Sequence, residues 1–156
     1  MKETIFKLFI FIVIVVGVEL IGSYFMRHSD YSWYEHLRKP SITPPGFVFG
    51  IVWPILYLTI AISGFLFFKN KSADYFYLVM SLWVAQLIVN SIWTMLFFYF
   101  QSPLLGLIDI FILILLVVPL ILLGLKVSIL GVILLIPYLM WIFYAFILNL
   151  LIYIKN

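Results

Sequence analysis

The sequence contains no cysteine, and charged residues make up only 10% of its 156 residues. Without cysteine, disulfides, thiolate metal sites and cysteine nucleophiles are excluded. Water-soluble globular domains are about a quarter charged, because they must cover their surface with hydrated groups. The nine Lys and Arg residues occur singly or in pairs and form no basic stripe that could follow nucleic-acid phosphates. The composition therefore argues against a soluble domain and against nucleic acid as a partner.

The motifs of ordinary enzyme chemistry are also missing from the sequence. There is no Gly-rich phosphate loop and no Ser-His-Asp set, and the two histidines, His28 and His36, lack metal-ligand spacing. The sequence therefore predicts neither a metal centre nor a required cofactor.

Apolar sequence is what the chain has in abundance, with 67% hydrophobic residues and a mean hydropathy of +1.28. A helix needs about 20 residues to cross a hydrocarbon core of about 30 Å, where the backbone finds no water to bond. Five segments are long enough: 5–26, 47–68, 75–100, 104–125 and 129–154. We therefore predict an all-α integral membrane protein in which residues 1–156 form one compact bundle of five transmembrane helices.

Segment 27–46 is the only long connection between these spans, and the shorter links make neighbouring helices antiparallel. Pro40, Pro44 and Pro45 stiffen this first loop into an extended path. It is interpreted either as a lid over the bundle or as a plain Pro-rich connector. The basic and then apolar start of the chain resembles a signal peptide but is too long for one, so we expect 5–26 to remain as the first helix.

Polar and aromatic side chains recur along one face of the third span, at spacings of three and four residues: Trp83, Gln86, Asn90, Trp93 and Phe97. Amide side chains cross-link membrane helices, and a stripe of indoles and amides can equally form the wall of a binding site. Comparable positions in the second and fifth spans are Trp53, Pro54, Tyr57, Pro137, Tyr138, Trp141, Ala145, Leu148 and Asn149. Periodicity alone leaves both interpretations open.

Two carboxylates, Glu19 and Asp109, lie within predicted spans and have no basic residue at the same depth. Each is expected to be protonated or to face a polar cavity, and a transport role for them is one hypothesis. Small residues four apart, Ser81 with Ala85 and Gly46 with Gly50, allow helix backbones to approach closely. This spacing predicts a homodimer.

Three blocks of sequence, in order along the chain, resemble one known family. They are Trp33-Tyr34-Glu35-His36-Leu37-Arg38-Lys39-Pro40 with Pro44-Pro45, Ala85-Gln86-Leu87 with Asn90-Ser91-Ile92-Trp93-Thr94, and Pro137-Tyr138-Leu139-Met140-Trp141. The pattern is similar to that of the tryptophan-rich sensory protein/translocator protein (TspO/MBR) family, also called peripheral-type benzodiazepine receptors, and resembles a bacterial-type member.

The resemblance implies a multi-pass receptor of the bacterial cell membrane, with a pocket that opens toward the first loop. Its expected ligands are porphyrins, such as protoporphyrin IX, and isoquinoline or benzodiazepine-type drugs. Carried over by position, Tyr34 and Pro44 line the lid, and the cavity is lined by Phe49, Trp53, Tyr57, Asn90, Trp93, Trp141 and Ala145. The other expected partner is membrane lipid.

The sequence departs from the family pattern at three positions of the first loop and the helix after it. Ile42 and Phe47 stand where many members have Trp, and Gly46 replaces a bulkier or basic residue. Two alternative functions remain. One is light- and oxygen-dependent porphyrin breakdown with Trp53 and Trp141 as the reactive indoles, and the other is porphyrin transport that uses Glu19 or Asp109.

Overall fold

The computed structural model describes residues 2–156, and within that range it contains five helices long and apolar enough to cross a membrane. They are α1 (Lys2–Arg27), α3 (Gly46–Lys69), α4 (Phe76–Thr94), α5 (Pro103–Gly124) and α6 (Ile129–Lys155), and a π-helical turn (Met95–Tyr99) continues α4. A short helix, α2 (Tyr31–His36), lies in the first loop. The all-α membrane architecture predicted from the sequence is confirmed, and the helix ends lie within three residues of the predicted span ends.

The helices form a closed ring, in which neighbours follow the order α1, α3, α6, α5, α4 and back to α1. Two of the short links end in serine caps. The Ser102 side chain accepts a hydrogen bond from the Leu105 backbone N–H at 3.3 Å, and the Ser128 side chain accepts one from Gly131 at 3.2 Å. Each cap satisfies a backbone donor that the first turn of a helix leaves free. These caps explain why α5 and α6 begin at the residues where they do.

The half of the bundle remote from the first loop, here called the packed half, is closed by aromatic rings that lie on glycines. Trp83 is 1% exposed and donates its indole N–H to the Ile60 carbonyl at 3.1 Å. A Cβ atom added to Gly64 would lie 2.4 Å from the Trp83 ring. The fully buried Phe67 ring lies against Gly124 and Gly131 in the same way. Only residues without a Cβ allow this close packing.

The first loop contains a helical turn that the sequence analysis did not predict. Asp30 caps α2 by accepting a hydrogen bond from the Ser32 backbone N–H at 2.9 Å, and α2 ends before the prolines begin. The Arg38 backbone N–H donates to Asn156 Oδ1 at 3.0 Å, which attaches the loop to the end of α6. The first loop and the C-terminus therefore lie at the same end of the bundle, as an odd number of spans requires.

Candidate ligand-binding site

A cavity of about 320 Å³ opens in the half of the bundle next to the first loop, here called the lid half. Side chains from all five long helices line it: Glu19, Ser23 and Met26 from α1; Phe49, Trp53, Pro54 and Tyr57 from α3; Asn90, Trp93 and Thr94 from α4; Ile110 and Leu113 from α5; and Trp141, Ile142 and Ala145 from α6. Its size falls at the lower end of the range of small-molecule sites, and its lining is largely aromatic and aliphatic. We call this space the inner cavity.

A second space of about 230 Å³, here called the outer cavity, lies between the inner cavity and the first loop. Tyr34, Lys39 and Pro44 of the loop line it. The two cavities share four lining residues: Phe49, Trp93, Phe98 and Ala145. The loop thus forms one wall of a cavity that adjoins the inner cavity, as a lid would.

The structure brings all nine residues of the sequence-predicted site to these two cavities. Seven line the inner cavity (Phe49, Trp53, Tyr57, Asn90, Trp93, Trp141 and Ala145), and Tyr34 and Pro44 line the outer cavity. The polar stripe of α4, however, is divided between two environments. Trp83 and Gln86 are fully buried in the protein interior, whereas Trp93, about two to three turns further along, lines both cavities. That these residues bind a ligand remains a prediction.

Two indoles at the cavities have unpaired donors. The Nε1 atoms of Trp93 and Trp141 are buried and have no hydrogen-bond partner within residues 2–156, whereas the Nε1 atom of Trp83 is paired. The rings themselves are held by neighbouring aromatic side chains. Trp93 stacks on Phe97 at 5.1 Å between ring centroids, and Phe49 packs edge-on against Trp141 at 5.8 Å. A buried donor without a partner is costly, so each N–H group would gain from an acceptor that a ligand brought into contact with it.

The Asn90 amide cross-links three helices. Tyr57 of α3 donates its hydroxyl to Asn90 Oδ1 at 3.0 Å, and Asn90 Nδ2 donates to the Tyr138 hydroxyl of α6 at 3.1 Å. Tyr138 in turn donates to Gln86 Oε1 at 2.9 Å. Asn90 therefore cross-links the helices and also lines the inner cavity, while its contact with a ligand stays a prediction.

The wall contributed by α1 was missing from the sequence-predicted site. The sequence predicts that Glu19 is protonated or faces a polar cavity but does not place it among the site residues, and the structure puts it on the wall of the inner cavity. The one available signal is Gly22-Ser23, a pair of small residues that follows Glu19 by one turn. A Cβ added to Gly22 would lie 3.4 Å from Thr94 Oγ1, so this part of α1 is in van der Waals range of α4.

The other carboxylate, Asp109, has a different setting from Glu19. It is 3% exposed and does not line either cavity, and its Oδ2 atom has no hydrogen-bond partner in the described part of the chain. Residues 2–156 contain no group of three His, Cys, Asp or Glu side chains that could hold a metal ion.

The outer and inner cavities are lined by charged residues of opposite sign. At the lid, Lys39 Nζ lies 4.2 Å from the centroid of the Tyr34 ring, and both residues line the outer cavity. Burial raises the pKa of the Tyr34 hydroxyl, so this group stays neutral and able to donate at physiological pH. Glu19 is the acidic residue of the inner cavity. The outer cavity therefore carries a basic residue and the inner cavity an acidic one.

Comparison with known proteins gives a consistent set of relatives. The sequence model of the TspO/MBR family matches residues 9–154. The chain is 37% identical to the tryptophan-rich protein TspO of Archaeoglobus fulgidus, over 97% of this chain and 98% of that protein. It is 34% identical to the protein of the same name from Chlorobaculum tepidum, over 96% and 95% of the two chains. With the human translocator protein it shares 32% identity over 50% of this chain and 47% of the human one.

Proposed function

The chain belongs to the TspO/MBR family of multi-pass integral membrane proteins, and on that premise we propose that it is a receptor of the bacterial cell membrane. It binds flat aromatic ligands inside the helix bundle, with porphyrins such as protoporphyrin IX as one class and isoquinoline or benzodiazepine-type compounds as another. The observation that carries the proposal is the pair of buried, unpartnered indole N–H groups of Trp93 and Trp141 in an aromatic-lined cavity.

Each part of the space suits a part of such a ligand. The rings of Trp53, Trp93 and Trp141 offer faces and edges against which a flat aromatic body packs. The unpaired indole donors bind carbonyl or ring-nitrogen acceptors. Lys39 at the mouth pairs with anionic groups, such as the propionates of a porphyrin, that remain near the membrane surface.

A titration of purified protein in phosphatidylcholine nanodiscs with protoporphyrin IX, in darkness, tests this proposal. Saturable change of the porphyrin absorption band is expected for the wild type, and weaker binding for the Trp93→Phe, Trp141→Phe double variant. Tyr77→Phe serves as the matched control, because Tyr77 is 83% exposed and lines neither cavity. A wild type that gives no saturable change, with an isoquinoline carboxamide failing in parallel, would refute the proposal.

The enzyme alternative is favoured by one observation, namely that Trp53 and Trp141 line the same inner cavity. An excited porphyrin held there could transfer energy to oxygen or take an electron from a neighbouring indole. Illumination of the same complex in air distinguishes the two functions. A receptor returns the porphyrin unchanged, whereas the enzyme yields an oxidised product at a rate that falls in the Trp53→Phe, Trp141→Phe variant. Movement of porphyrin into sealed vesicles would instead indicate transport.

We also propose that the protein forms a homodimer through α4. Ser81 is exposed and Ala85 is only half-buried, so the bundle itself leaves this small-residue pair accessible. Ala85→Leu should reduce cross-linking of the dimer in lipid, because a larger side chain separates the helix backbones. An undiminished dimer would refute the α4 interface, and Val13→Leu, at an exposed position of α1, is the control.

A further inference from the structure

Glu19 places a carboxylate inside the inner cavity, at a depth where a charge needs a partner. It lies eight residues before Arg27, where α1 ends, which corresponds to about 12 Å along the helix axis. Its side chain is half-buried and lines the inner cavity, and it makes no hydrogen bond or ion pair with the rest of residues 2–156. A carboxylate at membrane depth is expensive unless something pairs with it, and such residues mark functional sites.

The protein itself offers no cation to this carboxylate. Among the described residues, those that line the inner cavity include no Lys, Arg or His. Lys39 lines only the outer cavity, where it lies over the Tyr34 ring. Arg27 is at the C-terminal end of α1, about 12 Å along the helix axis from Glu19. The Lys7 ammonium pairs with Glu3 near the N-terminal end of the same helix. A cation that pairs with Glu19 would therefore come from a ligand that enters the cavity.

Aromatic rings surround the cavity that contains this carboxylate. Trp53, Tyr57, Trp93 and Trp141 line the cavity together with Glu19. Ring faces attract cations, and an ammonium N–H bonded to a carboxylate forms a strong charge-assisted hydrogen bond. A carboxylate among indole and phenol rings is the combination that recognises organic ammonium groups.

We propose that Glu19 makes the inner cavity selective for aromatic ligands that carry a protonated amine, a preference that rests on the proposed receptor function. The ammonium group pairs with Glu19, and the aromatic body lies against the tryptophans. Anionic groups are repelled from this end and point toward Lys39 at the mouth. The same arrangement gives a ligand with charges of both signs a single orientation.

Two naphthalene probes of the same shape test this preference. N,N-dimethyl-1-naphthylmethylamine is protonated at pH 7, and 1-isobutylnaphthalene replaces its nitrogen by carbon. Binding to protein in phosphatidylcholine nanodiscs is measured by naphthalene fluorescence, with empty nanodiscs as the baseline for lipid partitioning. Wild-type protein should bind the amine about tenfold more tightly than the hydrocarbon, since hydrogen bonds to charged groups contribute this much when partly desolvated. Glu19→Gln should reduce this ratio to about one.

Glu35→Gln is the matched control, since Glu35 is an exposed residue of α2 that lines neither cavity. It should keep the wild-type ratio. Glu19→Asp retains the charge and should keep part of the preference, and it also serves if Glu19→Gln does not fold. Equal binding of the two probes by the wild type, or an amine preference that persists in Glu19→Gln, would overturn the assignment while leaving the receptor function intact. If the wild type binds neither of the two probes nor protoporphyrin IX, the receptor function itself is refuted.

Discussion

The two halves of the bundle use tryptophan and glycine in opposite ways. In the packed half, Trp83 is fully buried, lies on Gly64 and donates its N–H to a backbone carbonyl. In the lid half, Trp93 and Trp141 are half-buried and line cavities, and their N–H groups have no partner in residues 2–156. The protein thus supplies a hydrogen-bond acceptor for the tryptophan N–H in the packed half and none for the two in the lid half. The lid half is where a ligand is expected.

Glycines on α3 show the same contrast within a single helix. Gly64 has a ring pressed against the position of its missing Cβ, whereas Gly46 and Gly50 have nothing within 4 Å of theirs. One glycine is required by packing, and the other two border open space at the lid half. The difference between the halves is therefore one of packing density as well as of hydrogen bonding.

The largest effect is expected when a methyl group is added to one glycine in each half of the bundle. Gly64→Ala should destabilise the protein by about 3 kcal/mol, because the added Cβ would overlap the buried Trp83 ring and force it to move. Gly50→Ala on the same helix should leave stability unchanged or raise it by up to about 1 kcal/mol, since alanine favours helix. Thermal unfolding in detergent measures both variants. Equal losses in the two would show that the halves do not differ in packing.

A smaller loss of stability is expected at Asn90, which lies at the boundary between the halves. Asn90→Leu should cost about 2 kcal/mol, because the hydroxyls of Tyr57 and Tyr138 both lose a partner. Tyr57→Phe should cost about half as much, since the bond from Asn90 to Tyr138 remains. Unfolding in a denaturing detergent series gives the values. Unchanged stability together with weaker ligand binding would assign Asn90 to the ligand alone.

Tryptophan-to-phenylalanine changes test whether the unpaired indoles serve a ligand. Trp141→Phe should change stability by less than about 0.5 kcal/mol, because its N–H has no bond to lose, but it should weaken isoquinoline binding by about 1 kcal/mol. Trp83→Phe should show the reverse pattern, with reduced stability at unchanged affinity. Calorimetric binding and thermal unfolding on the same samples compare the two. Similar profiles for both variants would contradict the distinction between paired and unpaired indoles.

The smallest effect concerns the pH dependence of the lid. Hydrogen bonds from Ser32 hold the pKa of Asp30 below its usual value of 3.8, so the capped form of α2 favours the charged carboxylate. A depressed pKa contributes stability above the unfolded-state pKa, and this contribution is lost as pH falls through the folded-state pKa. The protection factors of the residue 31–36 amides, taken relative to the intrinsic exchange rate at each pH, should therefore fall only below about pH 4. Asp30→Asn should remove this pH dependence while retaining a capping oxygen.

Much of the site could be predicted from the residues because its members belong to motifs with recognisable spacing. Asn90 and Trp93 share one face of α4, the family resemblance adds Trp53 and Trp141 on two other helices, and the structure brings all four to one cavity. Glu19 could not be assigned in this way, because a single carboxylate has no period and the rotation of α1 about its axis is set by neighbouring helices. The helix α2 was missed for a related reason, as its six residues are too few for a periodic signal.

The amino-acid sequence dictates the class of fold, since five apolar segments without water to bond their backbones must each form a helix. It also determined which residue types could meet a ligand, through one-sided stripes on three of those helices. Which tryptophan N–H groups find a hydrogen-bond partner within the protein depends on the tertiary structure. The partner exists only where a backbone carbonyl of another helix lies nearby, and the ring fits only where a glycine leaves room, as Ile60 and Gly64 do for Trp83. Such positions come from packing between distant segments, which no local pattern along the chain specifies.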